Sequence, residues 1–242
     1  MNTNIPVKYR RFLFQGDSIT DGNRGRTEDP NHILGHSHAF SIGSRLMADF
    51  PELQLEFFNR GISGNSHVDL EKRWQEDCLD LHPDVLSLLI GINGARQACG
   101  IYTSWETGHP DGPDPAQSLE NYTASLRRML EAARKANPDL MIILCLPFFY
   151  GSSNYTGAEN RAVAAVVEER RNALLQLAPE FNAVTVDFRA ALDRAIAINN
   201  DSRYWSWDGV HVTVAGYEIL AREWLKSAGK HIDFLADYTA NI

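Results

Sequence analysis

Five short apolar runs punctuate the chain: Phe12 to Phe14, Leu55 to Phe58, Val85 to Ile90, Leu140 to Leu146 and Ala183 to Val186. Each is shorter than an ordinary helix and predicts a strand buried on both faces. Between them the apolar period changes. From Ser118 to Ala136, the residues Leu119, Tyr122, Leu126, Met129, Leu130 and Ala133 recur at i, i+3 and i+4 spacing, which predicts one buried helix face, and Asn137-Pro138 ends it. A second helix is expected from about Ala158 to Leu177, with the charges of Glu168 to Arg171 on a solvated face. A third follows Thr213, a suitable N-cap, with Tyr217, Leu220 and Trp224 on its apolar side and Gly229 just beyond its end.

Strands alternating with helices predict an α/β fold, because a parallel crossover needs a connection of helix length, and the sheet is then covered on both faces. Residues 1–242 show no internal repeat or domain-scale linker and read as one domain. The main irregular stretch, Thr103 to Gln117, contains Gly108, Pro110, Gly112, Pro113 and Pro115 and cannot be a continuous helix. It follows the third strand, and loops beyond the carboxyl ends of parallel strands line the ligand crevice, so it is expected to form a rim of the site.

Composition narrows the partners. The chain of 242 residues is 44% hydrophobic, enough for one substantial core. Its formal charge of -8 argues against a nucleic-acid partner or an anionic membrane surface and leaves a small neutral molecule as the expected ligand. No run approaches the length of a membrane span, and Met1 to Arg11 has no apolar stretch of signal-peptide type, which predicts a cytoplasmic protein. Cys78, Cys99 and Cys145 are odd in number and widely spaced, indicating neither a disulfide frame nor a zinc site. His36 and His38 are metal ligands by type, but no Asp, Glu or Cys stands at a supporting spacing, so no metal is expected there.

The candidate chemistry begins directly after the first strand, where Gly16-Asp17-Ser18-Ile19-Thr20 places a serine on a tight turn. Backbone N–H groups at a helix start are unsatisfied and can stabilise a developing oxyanion. A serine hydroxyl needs a base, and the base an orienting carboxylate. Asp208-Gly209-Val210-His211 offers both within one turn. Asn59 to Asn65 follows the second strand and Gly91-Ile92-Asn93 the third, so a parallel sheet would gather all these groups at one edge. The N–H groups of Ser18 and Gly64 and the side-chain amide of Asn93 are candidate oxyanion donors. Taken singly, each motif reads equally as ordinary structure: a capped turn for Gly16-Asp17-Ser18, strand-to-helix turns for the glycines, and a cap plus a packed imidazole for Asp208 and His211.

In combination, GDSIT at 16–20, NRGISGN at 59–65, GIN at 91–93 and DGVH at 208–211 resemble the four sequence blocks of the SGNH (GDSL-type) hydrolases, in order and across most of the chain. The resemblance implies a three-layer α/β/α sandwich on a flavodoxin-like five-stranded parallel sheet. It implies Ser18 as nucleophile, His211 as base and Asp208 as its partner, with Ser18, Gly64 and Asn93 as the oxyanion hole and no cofactor. Asp69-Leu70, Arg73-Trp74, Asp77 and the segment after His211 are similar to the acetyl-xylooligosaccharide esterase branch, whose members deacetylate short sugars after import. An O-acetyl ester on a carbohydrate is therefore the expected substrate. The alternatives are a lipid-type or aryl esterase, or a lysophospholipase, with the same triad, and a catalytically silent carbohydrate-binding protein. Asp17, Trp105, Trp205 and Trp207 are candidate substrate contacts; Tyr102 and the tryptophans serve either as flat faces for a sugar ring or as core packing. The tail from His231 to Ile242 packs either on its own domain or on a second subunit of a homo-oligomer. Family members commonly carry Asp after the asparagine, where this chain has Gly94. That departure predicts a loosened Asn93 turn, unless a neighbour fills the vacated space.

Overall fold

The computed structural model describes residues 7–27 and 29–238. Five parallel strands, β1 (Arg11–Gly16), β2 (Glu56–Asn59), β3 (Val85–Leu89), β4 (Met141–Cys145) and β5 (Val184–Val186), form one sheet in the order β2-β1-β3-β4-β5. Interleaved among the described residues are ten α-helices: α1 (Ser18–Asp21), α2 (His38–Asp49), α3 (His67–Lys72), α4 (Trp74–Asp77), α5 (Ile92–Ala98), α6 (Leu119–Ala136), α7 (Gly157–Leu177), α8 (Phe188–Asn199), α9 (Ser202–Trp205) and α10 (Val214–Ala228). All five expected strands form. The three expected helices are α6, α7 and α10, and α10 takes Thr213 as its N-cap, but of the α7 charges expected on a solvated face only Glu168 and Glu169 are exposed, Arg170 and Arg171 being buried.

The strands read as apolar runs because both sides of the sheet are covered. Along β1, Phe12 and Phe14 enter a core with α2, α8 and α10, while Leu13 faces the opposite core with α3, α4 and α6. Successive side chains of a strand point to opposite faces, so one short run feeds both layers. The largest wholly enclosed side chain is Trp224 of α10. Its ring meets Phe12 and Phe14, and its indole N–H donates to Ser87 Oγ of β3 at 3.0 Å. Its polar atom thus has the partner that burial demands.

His38 is buried between the rings of Phe14 and Phe188, whereas the exposed His36 stands edge-on to Tyr217, so the two imidazoles sit in separate environments. Burial pushes the His38 imidazole down to about 3. The tail packs on its own chain: Leu235 is buried, Phe234 meets Phe12 and Phe50, and Tyr238 bonds Asp49. Its last residues, 239–242, and residues 1–6 of the amino-terminal stretch lie outside the described residues. Among the described residues no helix is long and apolar enough to cross a membrane.

The order β2-β1-β3 sets where a site can form. From β1 the chain departs through α2 on one face, whereas from β3 it departs through α6 on the other. A crevice opens at the carboxyl ends of β1 and β3, the topological switch point of such sheets. Trp224→Phe leaves Ser87 Oγ without its donor and a gap beside Phe12. The expected loss is about 1–3 kcal/mol, read from chemical denaturation, with the sheet intact by circular dichroism.

Candidate active site

Ser18 is the first residue of α1, immediately after β1. Asp17 is the N-cap: its carboxylate is buried and accepts from Ile19 N at 3.0 Å, which leaves the Ser18 N–H at the open start of the turn. This corrects the expectation that Asp17 contacts substrate. At 1% exposure it lies behind the turn and cannot reach a ligand. Burial drives its pKa up to about 6, against the Ile19 amide and the nearby His211, which lower it.

The other end of the chain brings His211 to this turn. Ser206 and Val212 form an antiparallel bridge that closes residues 207–211 into a tight hairpin. Within it, Asp208 Oδ1 accepts from Val210 N and His211 N at 2.9 and 2.6 Å, an Asx-type turn that fixes the carboxylate, and Oδ2 meets His211 Nδ1 at 2.7 Å. An ionised carboxylate only accepts, so Nδ1 carries the proton and Nε2 is left as the acceptor. Nε2 stands 2.7 Å from Ser18 Oγ. The hydrogen bond to Asp208 holds the His211 pKa above its ordinary value despite burial. Burial pushes Asp208 up, but the bonds from His211 outweigh it and its pKa is lowered.

Gly209 is the position this hairpin depends on. Its φ is +83°, and a Cβ there would stand 1.6 Å from Gly151 O. The hairpin lies flat on the loop after β4, with Tyr150 N donating to Gly209 O at 2.8 Å. The one turn expected from Asp208 to His211 is a bridged hairpin turn that ends just before the cap of α10.

The loop after β2 is tied to the serine turn, and the loop after β3 to the loop after β2. Ile62 N donates to Gly16 O at 3.1 Å, and Ser63 donates both N and Oγ to Asp21. Gly64, at φ +83°, follows. Asn93 lies in the first turn of α5, and its Nδ2 donates to Asn65 O at 3.1 Å, joining the two loops and leaving its second N–H open. Arg96 Nη2 reaches Asn93 Oδ1 at 3.4 Å and fixes which way the amide faces. Arg96 in turn pairs with Glu106 of the rim at 2.6 Å, both side chains being nearly buried. Glu106 also accepts from Gln97 and from Thr103, which, with Arg96, hold its pKa down to about 2 against burial.

The rim behaves as expected in part. It is irregular apart from a 3-10 turn at Pro115–Gln117. Trp105 is 63% exposed, and the edge of its ring covers the Cα of Gly64. Trp207, 67% exposed, lies roughly parallel to the His211 ring at 6.2 Å. The two exposed tryptophans therefore border the site. Trp205 does not join them: its indole N–H donates to Asn199, its ring meets Tyr204 edge-on, and it packs against the core. Tyr102 stacks on His109 and donates to Gly112 O at 2.8 Å, so it braces the rim. Arg96 and Glu106 were missed by sequence reading. The only signal was an arginine three residues after Asn93, and its partner lies in a loop without periodicity.

Comparison with known proteins adds an independent line. A sequence model of the GDSL-like lipase/acylhydrolase family matches residues 14–219. An acetylxylan esterase of Geobacillus stearothermophilus is 32% identical over 221 residues, 90% of this chain and 94% of that one. Its crystal structure matches with a TM-score of 0.74 at 30% identity, covering 93% of this chain and 95% of the other. Catalytic mutants of that esterase replace a serine, an aspartate or a histidine by alanine. A structure from Parabacteroides merdae described as a GDSL-like lipase matches with a TM-score of 0.79 at 32% identity, covering 93% and 99%.

Gly209→Ala tests the hairpin. The Cβ must displace the loop after β4 and also sits at positive φ, so stability falls by upwards of about 2 kcal/mol. Activity falls further than stability, because the displaced segment carries His211. A variant with native melting temperature and turnover would contradict the docking described.

Proposed function

The chain belongs to the GDSL-like lipase/acylhydrolase family, a family of carboxylic ester hydrolases, and on that footing we propose that it removes small O-acyl groups, chiefly acetyl, from carbohydrate hydroxyls. The observation that carries the reading is the continuous hydrogen-bonded chain Ser18–His211–Asp208, with both contacts at 2.7 Å. In this reading His211 Nε2 takes the Ser18 proton as Oγ attacks the ester carbonyl. It then returns that proton to the departing sugar oxygen, and in the second half it activates the water that cleaves the acyl-enzyme. Asp208 fixes the tautomer and stabilises the imidazolium. The Ser18 and Gly64 N–H groups and the open N–H of Asn93 receive the oxyanion.

The substrate class draws its support from three sources. The similar Geobacillus enzyme is an acetylxylan esterase. Trp105 and Trp207 offer exposed aromatic faces on two sides of the serine turn, suited to a sugar ring. The charge of -8 suits a neutral substrate. A cytoplasmic setting, with short acetylated oligosaccharides as substrates, belongs to the same proposal.

Ser18→Ala and His211→Ala are expected each to lower kcat by several orders of magnitude with the fold retained, and the double variant to be no worse than either, because the pair acts as one unit. Near-native turnover in either would remove the assignment. The pH profile follows from the raised His211 pKa. Only neutral imidazole accepts the serine proton, so kcat/KM rises with pH through a midpoint above 6.5. Asp208→Asn takes away the group that raises it, leaving burial to move the midpoint down, at a much lower rate. Acetylated xylooligosaccharides assayed against longer acyl esters and lysophospholipids, with products weighed by mass spectrometry, test the substrate. Preference for the lipid esters would overturn the carbohydrate reading and leave the esterase in place.

A further inference from the structure

Arg170 of α7 is wholly buried, yet no carboxylate pairs with it among the described residues. Its Nη1 donates to Gly91 O at 2.6 Å and its Nη2 to Gln117 O at 2.8 Å. The guanidinium lies 4.7 Å from the centre of the Tyr122 ring, and Tyr122 Oη in turn donates to Ile90 O at 3.0 Å. Nε has no partner. A guanidinium removed from water without a counter-ion is costly, and an apolar side chain of similar size would fill the same volume more favourably. What distinguishes arginine here is the fork of two donors, which bridges two backbone segments at once. One is Gly91, the cap of α5 two residues before Asn93; the other is the end of the rim.

Gly94 supplies a second observation. A Cβ at this position would stand 2.6 Å from Arg170 Nη1 and 2.3 Å from Gln117 Oε1. The space beside Asn93 that a side chain at position 94 would need is filled by Gln117 of the rim and Arg170 of α7. The turn is therefore not loosened by its glycine. The glycine is what admits the guanidinium.

We propose that Arg170 is a positioning residue of this site: it clamps the Gly91–Asn93 turn to the rim and so keeps the Asn93 amide aimed at the oxyanion. Glycine at 94 and arginine at 170 then act as a unit. The proposal rests on the reading of Asn93 as an oxyanion donor, and its test separates the two.

Four variants, Asn93→Ala, Arg170→Met, their double and Gly94→Ala, are assayed on 4-nitrophenyl acetate, with active sites counted by organophosphate labelling. Asn93→Ala is expected to lower kcat about 10²- to 10³-fold, the cost of one oxyanion donor. Arg170→Met lowers kcat about 10- to 100-fold with KM within about twofold, a loss made in the transition state. In the double variant the losses do not add, because Arg170 acts only through the amide that is already gone. Additive losses would mean a general structural role and overturn the proposal, as would native kcat in folded Arg170→Met. Should that variant fail to fold, Gly94→Ala decides: its Cβ crowds the guanidinium off Gly91, so kcat falls, and native kcat would overturn the clamp. Native turnover in Asn93→Ala would remove the oxyanion reading itself and the clamp with it. Loss in Asn93→Ala alone, with Arg170→Met unaffected, would remove only the clamp.

Discussion

The contact between Ser18 Oγ and His211 Nε2 joins residues 193 positions apart, and the polar structure around it serves to hold its two ends. A hydroxyl and an imidazole form a useful hydrogen bond over only a few tenths of an ångström. Neither end is held by the sheet directly. Ser18 is fixed by the capped turn after β1, and His211 by a five-residue hairpin whose carboxylate bonds its own backbone. The flat docking of Gly209 on Gly151 then sets the height of the hairpin above the sheet. A parallel sheet brings loops to one edge, but it does not place their side chains. That placement comes from the bonds between loops.

Those bonds are made largely by buried or half-buried charges. Asp21 joins the serine turn to the loop carrying Gly64, Arg96 and Glu106 join Asn93 to the rim, and Arg170 joins the rim to the start of α5. Charged groups are poor stabilisers in such places, since desolvation offsets most of their attraction. Their advantage is geometric: a guanidinium or carboxylate takes several partners at defined angles, whereas an apolar contact tolerates sliding. A site assembled from four separate loops has most need of that property, and the charges concentrate there. The two main cores, by contrast, are apolar on both faces of the sheet.

The strands and main helices were legible because burial on two faces or on one stripe imposes a period that the chain must carry. The four blocks were legible for a related reason: their groups act through backbone N–H positions and a few side chains, so the residue types are constrained locally. Asp17 and Trp205 were misread where type alone was the guide. A carboxylate beside a serine and an indole beside a candidate triad suggest contact with a ligand, but one turns inward to cap a helix and the other is drawn to Asn199. Gly94 was legible as a departure but not as a consequence, since the groups that fill its place, Gln117 and Arg170, come from the rim and from α7.

By itself the sequence determined the strand–helix alternation, the family and the residues eligible for chemistry, because these depend on spacing along the chain and on local conformation. The tertiary structure decided which eligible residues meet and which way each faces. It seated His211 on Ser18, turned Trp105 and Trp207 outward and Trp205 away, and set Arg170 over Gly94. Those outcomes depend on volumes and hydrogen-bond angles between segments distant in sequence, and no local pattern encodes them.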